Sequence, residues 1–263
     1  MNTYEKYINA RVKNKSILCL GLDTSLDKLP EHLPQNTTGM LDFNRRIIES
    51  TQDYVCAYKI NFAFYEEFGV EGFDILKKTI ETIPSDIVII ADAKRGDIGN
   101  TSLSYAKAVF EYFKTDSITV NAYMGYDCVE PFLSFKDKLI FILALTSNKG
   151  AFDFQHLITD SKPLFRHVIE KAMNWGSKEN VGFVVGATQA KFLADIRSYC
   201  DYPLLIPGIG TQGGSISETM NANRNYPAII NVSRDIIYAS SGTDFDLRAA
   251  EKAAYYKNLL IHP

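Results

Sequence analysis

Short, almost wholly apolar runs recur along this chain at 16–23, 54–60, 87–91, 117–121, 139–145, 181–186, 203–208 and 228–232. Each is short enough for a strand, and continuous apolar character predicts burial on both faces. Between them, apolar residues return at helical spacing. Tyr4, Tyr7, Ile8 and Val12 predict an N-terminal helix, and further helices are expected at about 41–51, 100–113 and 244–261. The stretch 62–82, interrupted by Gly69 and Gly72, predicts two short helices, and Asn100 or Thr101 is suited to cap the helix that follows 87–91. Strands that alternate with helices and are buried on both faces predict a parallel sheet covered by helices. Eight such units in 263 residues predict an α/β fold, the (β/α)8 TIM barrel, and the absence of a Pro/Ser-rich linker predicts a single domain over 1–263.

A barrel of this kind carries its chemistry at the C-terminal ends of the strands. Those ends hold Asp23, Lys59, Asp92 with Lys94, Asn121, Thr146 with Ser147, Gly186, Gly208 to Gly214, and Ser233 with Arg234. The densest stretch is Asp92-Ala-Lys-Arg-Gly-Asp-Ile-Gly-Asn-Thr101, at the end of the third apolar run. Strand alternation puts Asp92 and Lys94 on one face, Ala93 on the other, and Asp97 in the turn beyond. Taken singly, each charge has the plain reading of an exposed ion pair. What favours a site is adjacency, because three consecutive strands end in an acid, a lysine, and an acid with a lysine. A lysine flanked by carboxylates is suited to work as an ammonium acid; a Schiff-base lysine requires the opposite surroundings.

Composition narrows the partners. A net charge of −3 gives no reason to expect nucleic acid or an anionic membrane surface, so a phosphate site would have to be local. The start of the chain lacks the apolar core of a secretory signal, and apolar runs such as 140–145 fall far short of the ~20 residues of a membrane helix. Cys19, Cys56, Cys128 and Cys200 are scattered without a CxxC pair, which fits reduced thiols in the cytoplasm. His32, His156, His167 and His262 show no metal-binding spacing, and no metal site is expected.

Gly208-Ile-Gly-Thr-Gln-Gly213 matches a dinucleotide-binding fingerprint, with Asp235 as the following acid. Its place near the end of the chain leaves too little sequence for the remaining repeats of a dinucleotide fold. In a barrel, the same glycines after strand seven, with Arg234 after strand eight, predict a phosphate grip made of backbone N–H groups and a guanidinium. A purely conformational role in the turn is the other reading of these glycines.

The residues resemble those of the orotidine 5'-phosphate decarboxylase family. The likeness runs in order from Gly21-Leu-Asp23 through Tyr58-Lys-Ile-Asn61 and the motif 92–101 to Leu145-Thr-Ser147, Val185-Gly-Ala-Thr188, Pro207-Gly-Ile-Gly-Thr-Gln-Gly-Gly214 and Asn231-Val-Ser-Arg234. It implies cofactor-free decarboxylation of orotidine 5'-phosphate to uridine 5'-phosphate by a homodimer with shared sites. Lys94 would donate a proton to C6, Asp92 would lie near the departing carboxylate, and Lys59 would join them in an alternating charge network. Asp97 and Thr101 would serve the neighbouring subunit's site. Asp23 would contact the ribose and Ser147 the pyrimidine, while Gln212 and Arg234, with Gly208, Gly210 and Gly213, would hold the phosphate. Some members grip the phosphate with a tyrosine in a long loop after strand seven, and Gly214-Ser-Ile-Ser-Glu-Thr219 has none at a matching place. Three other readings compete: a metal-dependent sugar-phosphate decarboxylase or aldolase, a non-catalytic phosphosugar-binding barrel, and a dinucleotide oxidoreductase. The first would want a carboxylate where strand two ends in Lys59, because Mg²⁺ takes oxygen donors. The second is at odds with an intact Lys59, Asp92, Lys94, Asp97 set.

Overall fold

The structure, a computed structural model, describes residues 1–210 and 214–260. Eight parallel strands, β1 (Leu18–Gly21), β2 (Ala57–Asn61), β3 (Val88–Arg95), β4 (Ser117–Val120), β5 (Leu139–Leu145), β6 (Val181–Val185), β7 (Leu204–Pro207) and β8 (Ala228–Val232), close into a barrel in sequence order. β1 pairs with β8 to complete the ring, Leu18 opposite Ile230 and Leu20 opposite Val232. The (β/α)8 barrel expected from the apolar runs is therefore the fold. Among the described residues no helix is long and apolar enough to cross a membrane.

Two apolar layers hold the barrel together. One fills its interior with Cys19, Ala57, Ile90, Phe141, Leu205 and Ile229; the other lies between the strands and the surrounding helices. The N-terminal helix α1 (Thr3–Asn14) begins at a capping box formed by Asn2 and Glu5. It closes the lower mouth of the barrel by adding Tyr7 and Ala10 to the interior layer, and the Tyr7 hydroxyl donates to the Ala228 carbonyl at 2.9 Å. Lys6 pairs with Asp116 at 2.6 Å, just before β4.

Several boundaries differ from the periodicity reading, each for a local reason. β2 starts at Ala57 because Gln52–Tyr54 form a 3-10 turn. The helix after β3 spans Gly99–Lys107 and continues as a π-helical turn, Ala108–Tyr112. Neither Asn100 nor Thr101 caps it: Ile98 holds that place without a side-chain bond, and Gly99, at φ 52°, turns the chain into the helix earlier. Between β5 and β6 the chain adds a small antiparallel hairpin, Ile158 opposite Pro163, which periodicity did not reveal.

The feature that matters most for the site is the end of β3, which runs past its apolar part as far as Arg95. Ala91 pairs with Ile118 and Arg95 with Val120, so Asp92, Ala93 and Lys94 together face the single β4 residue Thr119. This bulge bends the strand, and Lys94 sits in it at φ 46°, a left-handed conformation uncommon outside glycine.

Candidate active site

The C-terminal ends of the strands surround a cavity of about 300 Å³. Asp23, Lys59, Asp92, Lys94, Ser147, Gly208 and Arg234 line it, from β1, β2, β3, β5, β7 and β8. Lys59 is 4% and Asp92 9% exposed, so neither charge has bulk water to solvate it. Each is stabilised by the other and by a second partner. Lys59 Nζ donates to Asp92 Oδ2 at 2.8 Å and to Asp23 Oδ1 at 3.4 Å. Lys94 Nζ donates to Asp92 Oδ1 at 2.6 Å, with half of its side chain exposed to the cavity. The result is a chain of alternating charge: Asp23, Lys59, Asp92, Lys94.

Burial opposes the charged form of Lys59, but the attraction of Asp23 and Asp92 and the bond to Asp92 outweigh it, holding the ammonium above its ordinary range. Burial likewise opposes ionisation of Asp92, but the two lysine charges and their hydrogen bonds hold its carboxyl well below the usual carboxylate range. An isolated ion in this position would be penalised by several kcal/mol, roughly, which is why the network is charged as a whole.

Close approach of the backbone shapes the rim. The Ser233 hydroxyl donates to the Gly21 carbonyl at 2.9 Å, tying β8 to β1 beside Asp23, and a Cβ on Gly21 would lie 2.8 Å from Ser233 Cβ. Gly208, at φ 102°, makes the turn at the end of β7, and the Gly214 N–H donates to its carbonyl at 3.1 Å. Gly210 has φ 84° but is not part of the lining; a Cβ there would lie 3.3 Å from Tyr256 Oη. The glycine run thus divides between a cavity wall at Gly208 and a conformational role at Gly210. Gln212 and Gly213 lie outside the described residues. Asp235, the acid that a dinucleotide fingerprint would require, accepts from the Tyr256 hydroxyl at 2.7 Å, toward the closing helix. After the glycine loop, Ser215 caps the helix Ile216–Asn223.

Two residues expected in a site stand apart from this cavity. Asp97 accepts from the Ile98 N–H at 2.8 Å, Thr101 is exposed on the helix after β3, and neither belongs to the lining. Other residues enter without having been anticipated. Thr119, 1% exposed, donates its hydroxyl to Asp92 Oδ1 at 2.9 Å. Asn61 and Asn231 also face the cavity, and the buried Asn231 Oδ1 has no hydrogen-bond partner among the described residues. A signal was present for both amides: Asn61 follows Lys59 on the same strand face, and Asn231 interrupts the apolar run of β8. Thr119 gave none, since a threonine among β-branched residues resembles any strand former. Among the described residues, no group of three or more His, Cys, Asp or Glu side chains is arranged to hold a metal ion.

The sequence model of the orotidine 5'-phosphate decarboxylase / HUMPS family matches residues 16–244. The orotidine 5'-phosphate decarboxylase of Christiangramia forsetii is 51% identical over 253 residues, covering 94% of this chain and 93% of that protein. The protein of the same name from Herpetosiphon aurantiacus is 48% identical over 265 residues, covering 98% and 99%. Among solved structures, the OMP decarboxylase of Leishmania donovani superimposes with a TM-score of 0.86 at 33% identity, covering 100% of both chains. With the family model spanning residues 16–244 and relatives alike over nearly their whole length, this chain belongs to the orotidine 5'-phosphate decarboxylase / HUMPS family.

Proposed function

We propose that this chain is a carboxy-lyase that converts orotidine 5'-phosphate to uridine 5'-phosphate and CO2 without a cofactor, the last step of de novo UMP synthesis. The observation that carries the reading is the charge chain itself: a half-exposed ammonium held 2.6 Å from a buried carboxylate that a second lysine keeps ionised. The C6–carboxylate bond breaks and leaves its electron pair on C6, where no neighbouring group delocalises it. Lys94 stabilises that charge through its ammonium and then passes a proton to C6, and water restores the proton to the amine. Asp92 orients Lys94 and lies beside the departing carboxylate; Lys59 keeps Asp92 anionic, and Asp23 contacts the ribose. Ser147 meets the pyrimidine. Gly208, Gln212, Gly213 and Arg234 hold the phosphate, with Gly210 shaping the turn that carries them, and the phosphate's binding energy aligns C6 with Lys94.

The working unit on this reading is a homodimer, with Asp97 and Thr101 supplied to the partner's cavity. Support comes from their place outside their own cavity and from exposed apolar side chains around the mouth: Ile98 at 56%, Tyr123 at 81% and Phe154 at 60%. Residues 1–263 act as one barrel domain. Four free, buried thiols suit the reducing cytoplasm as the place of action.

Incubating the EDTA-treated protein with orotidine 5'-phosphate and following the loss of its ultraviolet absorbance tests the activity. Turnover is expected; a stable absorbance would overturn it. Mixing Lys94→Ala with Asp97→Ala subunits is expected to restore part of the activity, and no recovery after verified subunit exchange would overturn site sharing.

A further inference from the structure

We infer that Thr119 is a positioning residue, whose hydroxyl locks the β3 bulge to the Asp92 carboxylate and thereby sets where the Lys94 ammonium stands. This rests on the decarboxylase reading above. In a regular parallel ladder the N–H of Lys94 would be given to a carbonyl of β4. Here the bulge sets Asp92, Ala93 and Lys94 against Thr119 alone, and the Lys94 N–H is taken by the Thr119 hydroxyl oxygen at 3.0 Å. The hydroxyl's own proton goes to Asp92 Oδ1 at 2.9 Å.

One buried hydroxyl therefore joins the main chain that carries Lys94 to the carboxylate that receives the Lys94 side chain. The loop of contacts is closed: Thr119 to the Lys94 backbone, along its side chain to Asp92 Oδ1, and back to Thr119. An ordinary buried threonine returns its proton to a nearby backbone carbonyl, as Thr51 does with Ile47. Thr119 instead spends both bonds on residues 25 and 27 positions away in sequence, and those two residues carry the proposed chemistry. Its β-branched side chain, 1% exposed, has little rotamer freedom, so the hydroxyl is fixed in place before substrate arrives. Lys94 also holds a left-handed backbone, at φ 46°, which needs such outside support.

The test compares two variants without the hydroxyl, Thr119→Val and Thr119→Ala, with Thr119→Ser, which keeps it. Steady-state kinetics with orotidine 5'-phosphate and binding of uridine 5'-phosphate are measured for each. Both hydroxyl-free variants are expected to lose kcat on the order of 10²-fold, the scale of a misplaced reacting group. KM and product affinity should stay near wild type, because the phosphate grip lies on β7 and β8, and Thr119→Ser should recover most of the rate. An unchanged kcat in either hydroxyl-free variant, an equal loss in Thr119→Ser, or a loss confined to KM would overturn the inference. A wild-type protein with no turnover would overturn the decarboxylase reading instead. The crystal structure of Thr119→Ala then decides the positioning role, with Lys94 Nζ expected to have left Asp92 and an unmoved Lys94 refuting it.

Discussion

At the N-terminal end of the barrel, the guanidinium of Arg197 is 2% exposed and gives its hydrogen bonds to neutral acceptors: Asn223 Oδ1 and the carbonyls of Cys200, Tyr202 and Pro227. At the C-terminal end, the ammonium of Lys59 is 4% exposed and is met by the carboxylates of Asp23 and Asp92. Burial pushes the Arg197 pKa down to about 10. For Lys59 the two carboxylates more than reverse that effect. Both cations are buried, so burial alone does not separate a structural charge from a functional one. Their partners do. Arg197 ties together the segments that enter β7 and β8 and is used up in doing so. The Lys59 network extends through Asp92 to Lys94, which keeps half of its side chain open to a cavity.

The sharpest break of this comparison is Lys94→Ala. Its kcat is expected to fall by at least on the order of 10³-fold, while the midpoint of thermal unfolding hardly moves, because a half-exposed lysine adds little to stability. A large drop in the midpoint, or retained turnover, would count against the division between the two ends. Next comes Lys59→Met, which leaves Asp92 and Asp23 without their shared buried cation. Urea unfolding should show a loss of roughly 3–5 kcal/mol, and the Lys59→Met/Asp92→Leu double variant should regain much of it without regaining activity. At the other end, Arg197→Met strands several carbonyls and is expected to destabilise by about 3 kcal/mol, yet leave kcat per folded molecule unchanged. Altered kcat there would show that the ends are coupled.

The pH dependence sharpens the contrast further. Asp92 is depressed in the folded state, so its contribution to stability is complete above the unfolded value of about 3.9 and is lost as pH falls toward its folded value. Lys59 is raised, so its contribution is complete below about 10.4 and is lost as pH rises toward its folded value. Stability measured by urea unfolding should therefore be flat between the two unfolded values as far as this network is concerned, and Asp92→Asn should weaken the acid limb. An unaltered acid limb would mean that Asp92 is not the group responsible. The smallest effect is expected of Tyr7→Phe, which removes one buried bond to the Ala228 carbonyl: about 1 kcal/mol in stability and none in turnover.

Much of the upper end was legible beforehand. Asp23, Lys59, Asp92 and Lys94 stand at the ends of apolar runs, and alternation predicted that Asp92 and Lys94 share a face; both do line the cavity, but across a bulge in which Lys94 is left-handed, which alternation did not foresee. The glycine run was legible as a turn, but its division between Gly208 on the wall and Gly210 against Tyr256 depends on a helix from the end of the chain. The lower end was less legible. Tyr7 belongs to a helical pattern whose destination cannot be told from its spacing, and Arg197 looks like any charge in an amphipathic helix until the segments before β7 and β8 fold against it. Thr119 was hidden for a similar reason, since its partners lie on the neighbouring strand across a bulge.

The sequence by itself determined the repeat of strands and helices, and with it the barrel and the set of side chains at its mouth, because hydrophobic periodicity and the place of charges at strand ends are properties of neighbouring residues. The tertiary structure decided which of those charges touch. It set Lys59 against Asp92, left Asp97 outside its own cavity, and placed Thr119 opposite the β3 bulge. Those outcomes depend on register between strands and on closure of the ring, where a contact between residues far apart in sequence forms only once the whole barrel has fixed their distance.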